Sequence, residues 1–516
     1  MDSNKQFILK GRGYYLNPYV FFSSAGLILI FVLAGLFFPG EAGRQASIIQ
    51  DFIANYLGWF YILAVGFFLF FVIWLFFSPY GHIRLGAPDQ GPEFGLFSWF
   101  AMLFSAGMGI GLVFYSVAEP LLHYEDPPMG TGKTIAAARS AMEISFFHWG
   151  LHAWAIYIVM GLSLAYFAHR ENMPLSIRSA FYPLLGDKVH GRLGDLIDTF
   201  AVFGTLFGIA TSLGLGVQQV HSGLVYSGLA GAPAEGADVT REATLYLLIA
   251  GITLIATISV VSGVDKGIRW LSNFNIVLGT MLLGFVFFFS PDTLFILKSF
   301  VQNTGDYLQN LITMTFWNAA YQRDSQWQQN WTLFYWAWWI SWAPFVGIFV
   351  ARISKGRTIR EFIGGVLLAP TLLTFFWLTV FGNTALYMEL YMQTNLSELV
   401  QNNVPAALYA MLEQLPMARL TAFAGTLVVA SYFITSSDSG SLVIDIITSG
   451  GHHNPPVAQR IFWALLEGAV AAVLLYAGGL KALQTASITT ALPMTVILLL
   501  MCWALVRHLA KNHQRK

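Results

Sequence analysis

The sequence predicts an all-α polytopic membrane protein with twelve transmembrane helices. Three observations predict it. Of the 516 residues, 56% are hydrophobic and only 10% are charged, whereas a soluble domain carries about 25% charged residues. Apolar runs recur along the whole chain, each long enough to cross a bilayer core of roughly 30 Å, which needs about 20 helical residues. These runs are continuous rather than alternating, which excludes a transmembrane barrel. Formal net charge is zero, so overall charge points to no nucleic-acid partner. The single cysteine, Cys502, excludes an intrachain disulfide and a cysteine-rich metal site.

In chain order, the first residues, MDSNKQFILKGRG, lack a cleavable signal pattern. The apolar runs then fall at 19–38, 56–77, 96–117, 145–167, 196–217, 245–261, 270–289, 332–351, 362–386, 420–440, 461–480 and 488–506. With the N-terminus inside, the outer segments hold only Arg44, Lys133, Arg139, Arg241, Lys298, Arg323, Arg419 and Lys481 of the 27 Lys and Arg residues. The other 19 lie on the inner side or at its edge. That bias obeys the positive-inside rule and places both termini in the cytoplasm.

Two runs are not plain helices. The third contains GMGIG, Gly107 to Gly111, and each glycine weakens a helix by about 1 kcal/mol relative to alanine. The eighth contains Ser341 and Pro344, and proline cannot complete the ladder behind it. The two interruptions lie five runs apart on runs of opposite direction. They predict inverted five-helix units, runs three to seven and eight to twelve, around a site near the midplane. Kinks in a passive bundle are the competing reading. The stretch 294–317, with Lys298, Gln302, Asp306 and Gln309 on helical spacing, predicts an amphipathic helix on the outer interface. The chain thus divides into 1–95 (cytoplasmic N-terminus and two leading helices), 96–290 (first unit), 291–330 (outer helix and loop), 331–507 (second unit) and 508–516 (short cytoplasmic tail).

The densest chemistry is aromatic. The segment 331–344, WTLFYWAWWISWAP, carries Trp331, Trp336, Trp338, Trp339 and Trp342. Membrane helices use tryptophan mainly at the two interfaces, but most of these fall near mid-span. Run four adds Trp149, Trp154 and Tyr157. Trp154 and Tyr157 share a helix face, whereas Trp149 points elsewhere unless the helix is distorted. Core packing and a cage for a cation without hydrogen-bond donors are both open readings of these rings. An unwound GMGIG segment would offer backbone N–H groups to an anion, although glycines also permit close helix packing. In run ten, SYFITSSDSGS places Ser431, Thr435, Ser436, Ser437, Asp438, Ser439 and Ser441 in one helix. They could ligate sodium or bond back to their own helix. Asp438 is a functional candidate because it is ionisable inside a span. Glu119 is expected to be structural at an outer helix end. His148 and His152 give only a weak metal signal, and no paired catalytic motif is present.

Four motifs carry a resemblance. AGMGIGLVFYSVAEP (106–120), HWGLHAWAIY (148–157), SLGLGVQQ (212–219) and FYWAWWISWAPFVGIFVARISKGRTIREFI (334–363) are similar, in the same order, to those of the betaine/carnitine/choline transporter family. The resemblance covers nearly the whole chain. It implies a leucine-transporter-like 5+5 inverted repeat preceded by two peripheral helices, alternating access, a bacterial cytoplasmic membrane, and a homotrimer formed through the outer amphipathic helix. It also implies no enzymatic activity and no cofactor other than sodium as coupling ion. Residue by residue, it implies an aromatic box of Trp149, Trp154, Tyr157 and Trp339, with Trp338 and Trp342 beside it. Trp342 would serve a transient position nearer the cytoplasm. Gly107, Met108, Gly109 and Gly111 would contact substrate. Ser105, Met108, Tyr432, Thr435 and Ser436 would hold sodium. A second sodium site matches at Thr205 and Phe345 but has Ile209 where a hydroxyl is expected. Sodium-independent relatives place an arginine in run five, which here has no Lys or Arg. Choline-specialised relatives carry aspartate where this chain has Gly111, which favours a zwitterion such as glycine betaine. Choline, carnitine, dimethylsulfoniopropionate and ectoine, and proton coupling, are the alternatives.

Overall fold

The computed structural model describes residues 8–11, 14–107, 109–231, 238–262, 269–321, 326–452 and 455–513. A short antiparallel hairpin, β1 (Leu9–Gly11) and β2 (Tyr14–Leu16), precedes a chain whose other regular elements are all helical. Asn17 caps α1 (Pro18–Phe37) by accepting from the Tyr19 and Val20 N–H groups, and Pro18 opens the helix where a missing N–H costs nothing. α2 (Pro39–Phe52) runs through a π turn at Ile53–Leu57 into α3 (Gly58–Phe77). Among the described residues, nine helices are long and apolar enough to cross a membrane, or ten if one bent pair counts as a single span.

The differences from the run-by-run expectation have local causes. Run three is divided into α4 (Leu96–Gly107) and α5 (Ile110–Glu125), so neither half reaches spanning length. Run four is divided at Gly150 into α6 (Ile135–Trp149) and α7 (Leu151–Ala165). α8 (Arg192–Tyr226) and α9 (Asp238–Ser262) come next. α10 (Arg269–Phe289) bends by 110° into α11 (Thr293–Phe316), the segment expected to be amphipathic. α11 packs on α3 and α6. On α6, Arg139 donates both to Asp306 Oδ2 at 2.6 Å and to Oδ1 at 2.5 Å. Leu297, Val301, Leu308 and Ile312 remain exposed on α11.

α12 (Phe334–Ile353) corrects one expectation. It runs unbroken through Ser341 and Pro344. Proline removes a single ladder bond, and neighbouring helices can make good that loss inside a membrane. Here the enclosure is nearly complete: 94% of the best spanning window is buried, against 28% for α1. α12 packs against α7, where Gly161 meets Gly347. A Cβ on Gly347 would collide with Met160, so the glycine pair sets the close approach of the two helices. α13 (Ile359–Tyr387) begins with a capping box between Thr358 and Glu361. α14 (Ala418–Thr448) and the last two apolar runs complete the core. Those runs join in α15 (Val457–His513), whose backbone leaves helical geometry at Gly478 and Gly479. Gly479 has φ 59° and ψ −137°, a conformation that favours glycine.

An ion cluster ties the hairpin end of the chain to this bundle. Arg178 is 1% exposed and bonds Asp198 at 2.5 Å and Asp195 at 2.8 Å. Asn17 Nδ2 donates to the same Asp195 at 2.9 Å. Removing one partner of a buried pair leaves an uncompensated charge, at a cost of about 3–5 kcal/mol. Arg178→Ala is therefore expected to lower the thermal unfolding midpoint in detergent; an unchanged midpoint would show that the cluster contributes no stability.

Candidate substrate site

The site begins with a backbone break. Gly150 has φ −96° and ψ −136°, which ends α6 at Trp149 and restarts the helix at Leu151. The break turns Trp149 toward α12, as the sequence required for it to join the other rings. It also frees carbonyls in the last turn of α6. Trp339 Nε1 donates to one of them, the His148 carbonyl, at 2.9 Å. Trp339 then meets Trp149 at a centroid distance of 4.8 Å and 67°, and Tyr157 at 6.4 Å and 73°. Trp154 meets Tyr157 at 5.5 Å. Trp338 stacks on Trp339 at 4.9 Å and donates from Nε1 to the Gly208 carbonyl at 3.3 Å. Five of the six expected rings therefore form one connected set. Trp342 lies further along α12, against Phe345 at 5.3 Å.

The glycine segment borders this set. Gly109 is extended, and α5 starts at Ile110 without a side-chain cap. The N-terminal turn thus lacks a side-chain cap and carries the positive end of the helix dipole, although its Leu112 N–H turns back to the Gly109 carbonyl at 3.2 Å. A Cβ on Gly111 would collide with Trp338 and lie 3.1 Å from Trp149, and one on Gly109 would lie 3.2 Å from Trp342. The lack of side chains lets ring faces approach the backbone of a half-helix. Gly107 closes α4, and Met108 lies outside the described residues.

Glu119, expected to be structural at an outer helix end, is instead a fully buried carboxylate within α5 that organises its neighbours. Its Oε1 lies 2.7 Å from His148 Nδ1 and 3.3 Å from His123 Nε2. Its Oε2 accepts from Trp149 Nε1–H at 2.7 Å and from the Tyr335 hydroxyl at 2.5 Å. One carboxylate therefore orients the box tryptophan from α6 and a ring of α12. The two histidines of run four face separate hydroxyls. His148 Nε2 pairs with Thr332 at 3.0 Å, and His152 Nε2 with Thr315 at 2.9 Å. Ligand atoms of Glu119, His123 and His148 lie within 4.8 Å of one another, with Oε1 facing both imidazoles and Oε2 taken by Trp149 and Tyr335. The sequence signal for this hub was a carboxylate just beyond the end of an apolar run, together with His148 inside the next one. Tyr335, His123 and Thr332 gave no signal of their own.

The α14 half of the expected sodium set is described in part. Thr435 Oγ1 bonds the Ser431 and Tyr432 carbonyls at 3.0 and 3.1 Å and accepts from Asn275 Nδ2 at 2.8 Å. Tyr432 and Ser436 are buried. The Ser105 side chain and Met108 lie outside the described residues. Of the second set, Thr205 Oγ1 is buried with no hydrogen-bond partner among the described residues. Ile209 presses on Gly440. Much of the hydroxyl density of run ten does bond to its own helix, as at Ser431 to Val428 and Ser441 to Ser437.

The model of the betaine/carnitine/choline family of transporters matches residues 19–514. A glycine betaine transporter of Acinetobacter baylyi is 46% identical over 96% of this chain and 73% of its own length. The glycine betaine transporter of Bacillus subtilis is 45% identical over 94% of this chain and 92% of its own. The high-affinity choline transport protein of Escherichia coli is 42% identical over 97% of this chain and 73% of its own.

Glu119→Gln keeps the shape and removes the charge. Hydrogen bonds to charged groups are worth about 1.5–3 kcal/mol, so this variant is expected to unfold at lower temperature and to change its tryptophan emission through Trp149. Wild-type emission and unfolding together would show that Glu119 does not hold the box.

Proposed function

This chain belongs to the betaine/carnitine/choline transporter family, and from that premise we propose that it imports a zwitterionic quaternary-ammonium osmolyte, glycine betaine foremost, by sodium-coupled alternating access. The observation that carries the reading is the ring set of Trp149, Trp154, Tyr157, Trp338 and Trp339 beside the uncapped N-terminus of α5. A trimethylammonium group donates no hydrogen bonds, and ring faces attract it by about 0.5–2 kcal/mol each. The half-helix N-terminus complements a carboxylate at the other end of the same molecule. Gly111 leaves the site without a fixed negative charge at that point, which suits a zwitterion better than choline.

In the proposed cycle, sodium bound by Ser105, Met108, Tyr432, Thr435 and Ser436 orders the junction of α4 and α14, and substrate and sodium tighten each other reciprocally. Trp342 receives substrate on the inward path. The twelve spans, with their inverted repeats at 96–290 and 331–507, lie in a bacterial cytoplasmic membrane with both termini inside. The exposed apolar side of α11 joins three copies.

Uptake of labelled betaine into proteoliposomes is expected to require an inward sodium gradient, and equal uptake without one would refute the coupling. Trp339→Leu should reduce betaine uptake about tenfold or more, the loss of one desolvated cation–π contact and its neighbours, while the protein stays folded. Gly111→Asp should raise uptake of choline relative to betaine and lower the total rate, because the new side chain must also displace Trp338. An unchanged choline-to-betaine ratio would refute the charge argument.

A further inference from the structure

Trp149 spans two points of α5 that differ in electrostatic sign. Its benzo ring lies beside the N-terminal turn, 3.1 Å from where a Cβ on Gly111 would stand. Its pyrrole Nε1–H donates to Glu119 Oε2 at 2.7 Å, about two turns further along the same helix. The first point carries the positive end of the helix dipole. The sign at the second depends on whether Glu119 is ionised, and its hydrogen bonds decide that.

Four groups converge on the carboxyl. His148 Nδ1 and His123 Nε2 lie 2.7 and 3.3 Å from Oε1, while Trp149 and Tyr335 donate to Oε2. An ionised carboxylate offers about four lone-pair sites and donates nothing, so it accepts from all four at once. A protonated one would have to give its hydrogen to an imidazole, which is the stronger base. The same count leaves both imidazoles neutral. Thr332 Oγ1 lies 3.0 Å from His148 Nε2 and has no other hydrogen-bond partner among the described residues, so its hydroxyl donates to that nitrogen. His123 Nδ1 is buried with no partner among the described residues; a proton there would be an unsatisfied donor. Among the described residues the only ion-pair partners of Glu119 are these two imidazoles. The cluster therefore holds one net negative charge behind the rings.

That charge reaches the ring faces in two ways. Accepting the Nε1–H polarises the indole, and a cation is drawn to an electron-rich face. The carboxylate also attracts directly any cation held over that face, through surroundings of low dielectric. Tyr335, bonded to the same oxygen, stacks on Trp339 at 5.8 Å and on Trp338 at 6.3 Å. We propose that Glu119 is the fixed counter-charge of the aromatic box, a specificity-determining residue acting through Trp149 on the trimethylammonium head. It orients a zwitterion with the head toward Glu119 and the carboxylate toward Ile110 at the start of α5. A residue that only held the rings in place would need no charge. The inference rests on the quaternary-ammonium reading above and adds to it the source of the charge preference and the direction of the bound molecule.

The test is equilibrium binding of labelled glycine betaine, with sodium present, to the purified full-length protein in detergent. Glu119→Gln keeps an acceptor for Trp149 and Tyr335 but no charge, and is expected to weaken binding about tenfold. Glu119→Asp keeps the charge and shortens the reach by one methylene. It is expected to stay within about threefold of wild type, rescuing what glutamine loses. A folded glutamine variant with wild-type affinity would overturn the proposal. So would an aspartate variant weakened as much as the glutamine one, since reach rather than charge would then matter. If the glutamine variant does not fold, the aspartate variant decides alone, and a loss of about tenfold or more overturns the proposal. Folded wild-type protein that binds no betaine would sink the quaternary-ammonium reading itself, and this inference with it.

Discussion

A carboxylate sealed inside a membrane protein must be satisfied by its neighbours, and Glu119 imposes that requirement on the centre of this molecule. Its two oxygens draw donors from three helices: His123 of its own helix, His148 and Trp149 of α6, and Tyr335 of α12. Three of these four donors, His148, Trp149 and Tyr335, are part of the aromatic set or touch it. Tyr335 packs against Trp149 at 5.4 Å and against Trp339 at 5.8 Å. The His148 backbone carbonyl receives Trp339. Trp149, Trp338 and Trp339 are therefore held by polar bonds at their ring edges. Packing alone would leave such large rings several ways to fit; hydrogen bonds with direction leave few.

The same centre depends on three interruptions of regular helix. The first, with α4 ending at Gly107 and α5 starting at Ile110, opens an uncapped half-helix beside the rings. The second, at Gly150, turns Trp149 into the set. The third, at Gly478 and Gly479, lets α15 return across the bundle. Each occurs where a glycine removes the side chain that would resist it. The interruption expected at Pro344 does not occur, because losing one ladder bond is a small perturbation in a helix enclosed on nearly every side. Glycine and proline thus act here through what surrounds them as much as through their own torsions.

Charge obeys the same requirement elsewhere in the bundle. Arg178 with Asp195 and Asp198 forms a compensated cluster near the hairpin end of the chain. Arg139 and Asp306 fasten α11 to α6. Asp438 and Glu467 differ, since serine hydroxyls donate to them and no base answers them among the described residues. These hydroxyl bonds tie α14 to α9 and α15 by hydrogen bonding rather than by ion pairing.

Hydropathy and residue periodicity are local properties, and the features they control were legible in the chain: helical spans, the leading peripheral helix, the amphipathic character of α11, and the aromatic residues that could meet. The resemblance of four motifs added which of those rings belong together. Contacts across long sequence distances were not legible. Glu119 reaches Tyr335 across 216 residues, and Ser259 reaches Asp438 across 179, so no window of sequence contains either bond. The direction of Trp149 was undetermined for a related reason: it hangs on the torsions of Gly150, a residue with no side chain to declare them. The sequence by itself thus determined which residues enter the membrane and which rings are available. Tertiary structure decided which oxygen answers which donor, because a buried polar group takes its partner from whatever helix packing brings within about 3 Å.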